Sequence, residues 1–431
     1  MAFASLESIC KRISSGGTPS RKNADYFSTT ATGHFWVKSK ELLDCAIEDT
    51  EERISDDGLN NSSAKYFPVH TVLVAMYGAN VGQLGWLRKP ATVNQAICGL
   101  VVDEQKADWR YVFYSLLLNR GDLTIQAQGA AQQNLNQDLI RQFSIDLPPL
   151  PVQQRIAGIL SAYDELIENS QRRIKILESM ARALYREWFV HFRFPGHKNH
   201  PRVASPLGEI PQGWEVKRLE VIIATHIGGG WGKETPDDDY TEPAWVIRGT
   251  DIPETRYSQV ASVPHRFHSA SNLRSRRLVA GDIVFEVSGG SKGQPVGRTL
   301  LVTPELLASL GGDVICASFC KRIQPDVAGY GSELLYLSFL EGYESGEIEQ
   351  YQVQSTGISN FKWTEYIANT DRVVPPEALR EQFRGHVASL FTQVATLGRK
   401  IQNLRRTRDL LLPRLLSGQI AVETLPEGVA A

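Results

Sequence analysis

The sequence predicts a mixed α/β protein written twice, each globular half followed by a long helix of its own. Two observations carry this. An alternating apolar stretch ending in Leu147-Pro148-Pro149 runs into a heptad helix with Gln153-Gln154-Arg155 near its start, and the plan recurs as Val373-Val374-Pro375-Pro376, Glu381-Gln382-Phe383 and a second heptad helix. Short alternating segments make up the halves between them. A repeat on this scale governs the fold, because each copy is one structural unit, and two copies suggest an internal two-fold.

The copies share few identities but keep one order of matches. Ser5-Leu6-Glu7-Ser8-Ile9 parallels Arg218-Leu219-Glu220-Val221-Ile222, Phe35-Trp36-Val37 parallels Ala244-Trp245-Val246, and Tyr111 to Asn119 parallels Leu334 to Gly342. In each half a Gly/Gln/Asn/Ser-rich loop, Gly129 to Asn136 or Ser355 to Asn360, precedes the double proline. Val72 to Met76, Ala96 to Val102 and Ile283 to Val287 alternate as strands. Asp108 and Ser332 are placed to cap the helix that follows each.

At each proline pair the local chemistry is explicit. Phe143, Ile145 and Leu147 alternate as a strand, and proline fixes φ while pushing the preceding residue out of the helical region. The pair therefore ends the strand, and Pro151 suits a first helical turn, where its missing amide costs nothing.

The helices carry one dry stripe each. From Ile156 the seam steps four then three through Leu160, Tyr163, Ile167, Ser170, Ile174, Leu177, Ala181, Leu184 and Trp188. The second runs Phe383, Val387, Leu390, Val394, Leu397, Ile401, Leu404, Arg408 and Leu411, with Pro413 expected to kink or end it. The flanks are charged, as in Gln171-Arg172-Arg173 and Arg405-Arg406, so each stripe fits a single partner helix and the two are expected to pair. Val152 to Val190 would extend about 58 Å at ~1.5 Å per residue. A spacer with a similar domain at each end suits two similar targets, such as the major-groove faces that recur about 34 to 36 Å apart on duplex DNA. A coiled-coil scaffold without DNA binding accounts for the helices equally and stays open.

Composition sets outer limits. At 431 residues, 42% hydrophobic and 22% charged, the chain can bury two cores. Five cysteines, Cys10, Cys45, Cys98, Cys316 and Cys320, make an odd number without a framework and point to a reducing compartment. The first residues lack the basic start and apolar run of a leader, and no stretch reaches the ~18 apolar residues of a span, so no membrane is implied and the cytoplasm is expected. A net charge of −2 lacks the basic excess of a protein that grips nucleic acid alone. Any DNA clamp would draw positive charge from partners.

Together several strings resemble a known family: Gly16-Gly17-Thr18-Pro19-Ser20, Trp36-Val37-Lys38, Leu147-Pro148-Pro149-Leu150-Pro151 with Gln153-Gln154-Arg155-Ile156, Gly208-Glu209-Ile210-Pro211-Gln212-Gly213-Trp214, and Leu411-Leu412-Pro413-Arg414-Leu415-Leu416-Ser417-Gly418. In this order the chain is similar, over nearly its full length, to the specificity subunits of type I restriction-modification systems. The resemblance implies two target recognition domains in inverted orientation, 1–147 and 214–374, separated by an antiparallel coiled coil of the conserved helices 148–193 and 375–420, with a linker at 194–213 and a frayed tail at 421–431. It also implies a non-catalytic subunit that reads a bipartite site on double-stranded DNA. Its partners would be two methyltransferase subunits and, where the complex also cleaves, two restriction/translocase subunits. No cofactor is expected on this chain; S-adenosylmethionine, ATP and Mg belong to the partners. The second half departs by showing Ile227-Gly228-Gly229-Gly230-Trp231-Gly232-Lys233 in place of the Gly-Gly-Thr-Pro-Ser string, and the first lacks the Gly-x-Ile-Pro-x-Gly-Trp entry.

No catalytic set emerges. DNA amino-methyltransferases resemble one another in a polar-Pro-Pro-aromatic tetrapeptide, but here the flanks are Leu147 and Leu150, then Val374 and Glu377. A phosphate loop ending at Gly232-Lys233 would need Gly at 227 and Ser or Thr at 234, where Ile227 and Glu234 stand. Cys316 and Cys320 read as buried strand thiols rather than zinc ligands. His191, His197 and His200 read as solvated linker residues, and Asp237-Asp238-Asp239 as an acidic turn. Bases are read in the major groove by Arg or Lys on guanine and Asn or Gln on adenine. The candidate DNA contacts are therefore Arg21, Lys22, Lys38, Lys40, Asn80, Gln83, Gln132, Gln133 and Asn134 in the first half. In the second they are Lys233, Arg248, Arg274, Arg276, Lys292, Asn360 and Lys362.

Overall fold

The computed structural model describes residues 3–28, 32–128, 134–289, 295–326, 329–355 and 358–422. The chain divides into two compact units, Met1–Leu166 with Leu404–Ala431, and Ile167–Asn403. The class is mixed α+β, with a sheet-rich globular head in each unit and two long helices, Leu150–Tyr185 and Glu377–Leu416, that contribute a segment to each.

In the first unit a five-stranded sheet runs in the order Cys10–Ser15, Ile97–Val102, Val72–Ala75, Leu84–Leu87, Cys45–Ile47. A second sheet holds His34–Val37 parallel to Ala91–Val93, with Trp36 opposite Thr92. Phe3–Ser5 pairs with Ser144–Asp146, the strand that leads to the first proline pair. The central strands are apolar on both faces, as strands covered on both sides must be. Asp108 caps the helix Trp109–Leu118 by accepting from Arg110 N and Tyr111 N, and Gln153 then ties this helix start to the joint: its Oε1 accepts from Asp108 N (3.0 Å) and its Nε2 donates to Pro148 O (2.8 Å).

The second unit repeats the plan. Ile223–Gly228, Cys320–Pro325, Ile283–Glu286 and Thr299–Leu301 form one sheet; Glu242–Ile247 lies parallel to Val314–Cys316 in another; Glu215–Arg218 pairs with Asp371–Val374. The single-turn helices Leu6–Ile9 and Leu219–Ile222 match down to a bond, Leu6 N to Phe143 O and Leu219 N to Thr370 O, each 2.9 Å. Both long helices start on a proline carbonyl: Pro149 O accepts from Gln153 N (3.1 Å) and Pro376 O from Arg380 N (3.1 Å).

Within each unit the helix segments run antiparallel. In the first, Ile156, Ala157 and Leu160 share a core with Leu412, Leu415 and Leu416. In the second, Ala181, Tyr185, Trp188 and Phe189 pack with Phe383 and Val387, the Phe189 and Phe383 rings meeting edge-on at 4.7 Å. Ile156, Leu160, Ile167, Ile174, Phe383, Val387, Val394, Leu397 and Ile401 are buried, and Tyr163, Leu177, Leu184, Leu390, Leu404 and Leu411 half-buried.

Four local expectations change. Pro413 does not end its helix, which continues to Leu416, because Leu412, Leu415 and Leu416 are all buried and their burial outweighs one lost helical bond. Ser332 is the first residue of the helix Ser332–Glu344 rather than its cap; Gly331 holds the position that Asp108 holds in the first unit. The stretch 194–213 contains a hairpin, Arg202–Ser205 with Gly208–Pro211, anchored by buried Phe194 and Ile210. Finally, Val37 pairs with Val93 and Ile247 with Cys316 at equivalent corners, so Trp36 corresponds to Val246, one residue off the match of Trp36 with Trp245. A shared tryptophan misled the alignment; strand register is set by backbone pairing.

Candidate nucleic-acid interface

One end of the main sheet gathers loops from distant parts of the first half. Gly16 N donates to Ile97 O (3.1 Å) and Gly17 N to Val93 O (3.0 Å). A Cβ on Gly16 would stand 1.9 Å from Val93 O, so only glycine allows the chain to cross there. Asn94 N donates to Val37 O (2.9 Å), which brings Lys38 to this corner; Met76 N donates to Ala96 O (2.8 Å) and Leu135 N to Met76 O (3.0 Å), which bring the 77–83 loop and Asn134. Arg21, Lys22, Lys38, Lys40, Asn80, Gln83 and Asn134 thus all sit on loops at the same sheet end.

The second unit builds the same corner from other residues. Gly229 N donates to Cys320 O and Gly230 N to Cys316 O, both 2.9 Å, and a Cβ on Gly229 would meet Cys316 O at 2.2 Å. Ala317 N donates to Ile247 O (2.8 Å), Val287 N to Phe319 O (2.9 Å) and Phe361 N to Val287 O (2.8 Å). Bond for bond, Gly16-Gly17 corresponds to Gly229-Gly230, Lys38 to Arg248 and Asn134 to Asn360. The second half therefore keeps the glycine pair and drops only the Thr-Pro-Ser that follows it. Lys38 and Arg248 even share a capping arrangement, Lys38 N to Glu41 Oε2 (2.6 Å) and Arg248 N to Asp251 Oδ2 (2.9 Å). A Gly-Gly pair after a short strand was the signal for this corner, and the unlike residues beyond it hid the match.

The corner cations are largely neutralised. Lys38 and Lys40 both bond Glu51 (2.8 and 2.7 Å), whose carboxyl they hold down to about 2, and Lys40 is held above its usual range by the same contact. Arg21 clamps Glu52 through both terminal nitrogens (3.2 and 2.6 Å) and lies 4.0 Å over the Phe27 ring. Arg248 grips Asp251 (2.8 and 2.7 Å) and donates to Ser262 O (2.8 Å). Asn360 Oδ1 accepts from Ser288 Oγ (2.7 Å), and Arg276 Nε donates to Gly228 O (2.9 Å). Two candidates lie off the corner bonds: Lys233 pairs with Asp237 and covers Tyr240 (4.4 Å), and Lys362 pairs with Glu365 (2.9 Å) at the start of the helix Trp363–Asn369. Lys22 and Arg274 are exposed and make no ion pair among the described residues. Gln132, Gln133 and Lys292 lie outside the described residues.

Other singled-out groups have structural places. Cys316 and Cys320 are buried on strands, and burial pushes the Cys316 thiol up to about 12 and Cys320 well above its ordinary value. His197 and His200 are half-buried rather than solvated, each bonded to a carbonyl, Phe194 O and Gln212 O, at 2.8 Å. Asp237 Oδ1 accepts from Asp239 N and Tyr240 N (3.1 and 2.9 Å), closing the acidic turn. No helix among the described residues is long and apolar enough to cross a membrane.

Comparisons with known proteins agree with this architecture. Residues 2–179 match the family described as type I restriction modification DNA specificity domain. The MjaIX type I restriction enzyme specificity subunit of Methanocaldococcus jannaschii is 25% identical over 96% of this chain and 92% of its own length; the MjaVIII specificity subunit of the same organism is 30% identical over 36% of each. In fold, the chain resembles the crystal structure of a type I restriction-modification S subunit from M. genitalium, with a TM-score of 0.57, 13% identity, and coverage of 96% of this chain and 95% of that one. Two heads on one topology, two heptad helices and a relative that matches nearly from end to end point the same way: residues 2–179 match the type I restriction modification DNA specificity domain, and the chain as a whole is similar to the specificity subunits of type I restriction enzymes.

Proposed function

We propose that this chain is the non-catalytic, DNA-reading subunit of a type I restriction-modification complex in the cytoplasm, and that each head reads one half of a bipartite target through the loop corner described above. The observation that carries the reading is the correspondence of Lys38 with Arg248 and of Asn134 with Asn360. Groups suited to base edges stand at the same hydrogen-bonded positions of two sequence-divergent heads. Divergent residues on a shared frame are what reading two different half-sites requires.

With a net charge of −2, the chain relies on others for phosphate contacts. The partners are two methyltransferase subunits, which bind S-adenosylmethionine, and two restriction/translocase subunits, which use ATP and Mg. The test is a methylome of cells carrying the chain with its methyltransferase partner, compared with cells lacking the chain. A two-part motif that disappears with the chain is the expected result. Methylation independent of the chain, together with no salt-dependent affinity for duplex DNA, would leave the scaffold reading instead.

A further inference from the structure

Two of the differences between the heads fall on the corner that carries the candidate readers and change its chemistry. Thr18, beside Gly17, gives way to Trp231, beside Gly230. Ala96, whose carbonyl accepts from Met76 N, gives way to Phe319, whose carbonyl accepts from Val287 N. In the first head the first of these positions is polar, with Thr18 Oγ1 donating to Gln95 Oε1, and the second is a small alanine. In the second head both positions are aromatic: Phe319 is 56% exposed and Trp231 39%, with the Arg266 guanidinium 4.2 Å over the Trp231 ring.

A lone exposed apolar side chain is ordinary. Phe319 differs because its backbone is fixed. Its carbonyl accepts from both Val287 N (2.9 Å) and Ser288 N (3.2 Å), and the next residue closes a turn, Cys320 N to Ala317 O (2.8 Å). The neighbouring segments carry Arg248, one residue after the strand bonded to Ala317, and Asn360, bonded to Ser288. A phenyl ring is thus held in water among polar groups suited to base edges. The major-groove edges offer one apolar group, the thymine methyl.

We propose that Phe319 is a specificity-determining residue of the second head, reading the 5-methyl group of a thymine in that head's half-site by apolar contact. The inference rests on the DNA-reading function proposed above and adds the chemistry of one contact. The test uses the chain assembled with its methyltransferase partner and duplexes carrying its motif, each thymine replaced in turn by uracil, which removes the methyl and keeps the pairing edge. The head that reads each half-site is identified by which one Asn360→Ala relaxes. The wild-type complex should lose about fourfold in affinity at one thymine of that half-site, the worth of roughly one buried methyl group. Phe319→Ala should bind thymine and uracil there equally, Phe319→Leu should keep most of the difference, and both should still select the other half-site. A uracil penalty unchanged in Phe319→Ala, or none at any thymine of that half-site in the wild type, overturns the assignment while leaving the DNA-reading function intact. A wild-type complex with no sequence preference would overturn the function itself.

Discussion

Asp164 and Arg408 form an ion pair between the two long helices of the first unit, and the same carboxylate accepts from Tyr114 Oη (2.6 Å) on the head's helix Trp109–Leu118. Arg408 occupies a seam position where the heptad pattern calls for an apolar residue. The half-buried arginine is tolerated there because Asp164 meets its Nη1 while Asp409 accepts from its Nε (3.0 Å) and Nη2 (2.9 Å), and Asp164 in turn links it to the Tyr114 phenol. Three elements are thereby pinned at one point.

Asp164→Asn removes the charge and leaves Arg408 and Tyr114 competing for one amide. It should cost the first unit roughly 1–2 kcal/mol. Hydrogen exchange should rise first in residues 109–118. Unchanged protection there would show that the head's helix is held by its apolar face alone.

Two glycines of the second long helix make a paired test. A Cβ on Gly398 would stand 2.0 Å from Tyr257 O, where the segment through Ser258 packs on the helix and Gln402 donates to Ser258 O, whereas a Cβ on Gly385 meets nothing within 4 Å. Gly398→Ala should destabilise the second unit by about 1–3 kcal/mol through overpacking. Gly385→Ala should stabilise it by up to ~1 kcal/mol, the helix-propensity difference. Denaturant midpoints shifting in opposite directions are expected, and equal shifts would refute the close approach.

Glu51 titrates at about 2 because Lys38 and Lys40 bond its charged form. The depressed folded value means that its small stabilising contribution is complete above the ordinary glutamate range and is lost as the pH falls toward 2. Carboxyl NMR should place the midpoint near 2, and Lys38→Ala with Lys40→Ala should return it toward 4.5. Glu51→Gln frees Lys40 and leaves Lys38 with Glu52 (3.7 Å), so non-specific DNA affinity should rise and its log-log salt slope steepen by roughly one.

Asn134 and Asn360 precede the residues whose amides bond Met76 O and Val287 O in their respective heads. Each alanine variant should relax one half-site only, with about 1–3 kcal/mol of lost discrimination at one base pair. Methylomes of the two variants should show degenerate positions in opposite halves of the motif. Degeneracy in the same half, or none, would remove these residues from the reading surface.

Deleting one heptad from each long helix preserves the 3-4 seam and removes about 10 Å of helix. If the helices set the spacer between half-sites, the preferred spacer shortens by ~3 base pairs or recognition is lost. An unchanged spacer would separate the helices from that role.

The long helices were legible because a heptad seam is a local, periodic signal. Val387, Val394 and Ile401 lie 227 positions after Leu160, Ile167 and Ile174, and Pro375 lies 227 after Pro148, so both helices count in one register from their proline pairs. The strands around Val72, Ile97 and Ile283 and the Asp108 cap were equally local. Less legible were the ion pairs that neutralise Lys38, Lys40 and Arg21, because Glu51 and Glu52 reach them only after the strands pair. The hairpin in 194–213 was obscured because prolines and glycines mark turns without telling whether buried residues such as Phe194 and Ile210 anchor them.

By itself, then, the sequence determined the duplication, the two heptad helices with their proline joints, and the α+β class, all properties of short-range pattern and fixed backbone geometry. Only the tertiary structure decided which residues are counterparts: Gly16-Gly17 with Gly229-Gly230, Lys38 with Arg248, Asn134 with Asn360, and Ala96 with Phe319. These matches are written in hydrogen bonds between strands far apart in the chain, such as Gly17 N to Val93 O and Gly230 N to Cys316 O, and intervening loops of unequal length conceal them from any reading along the chain.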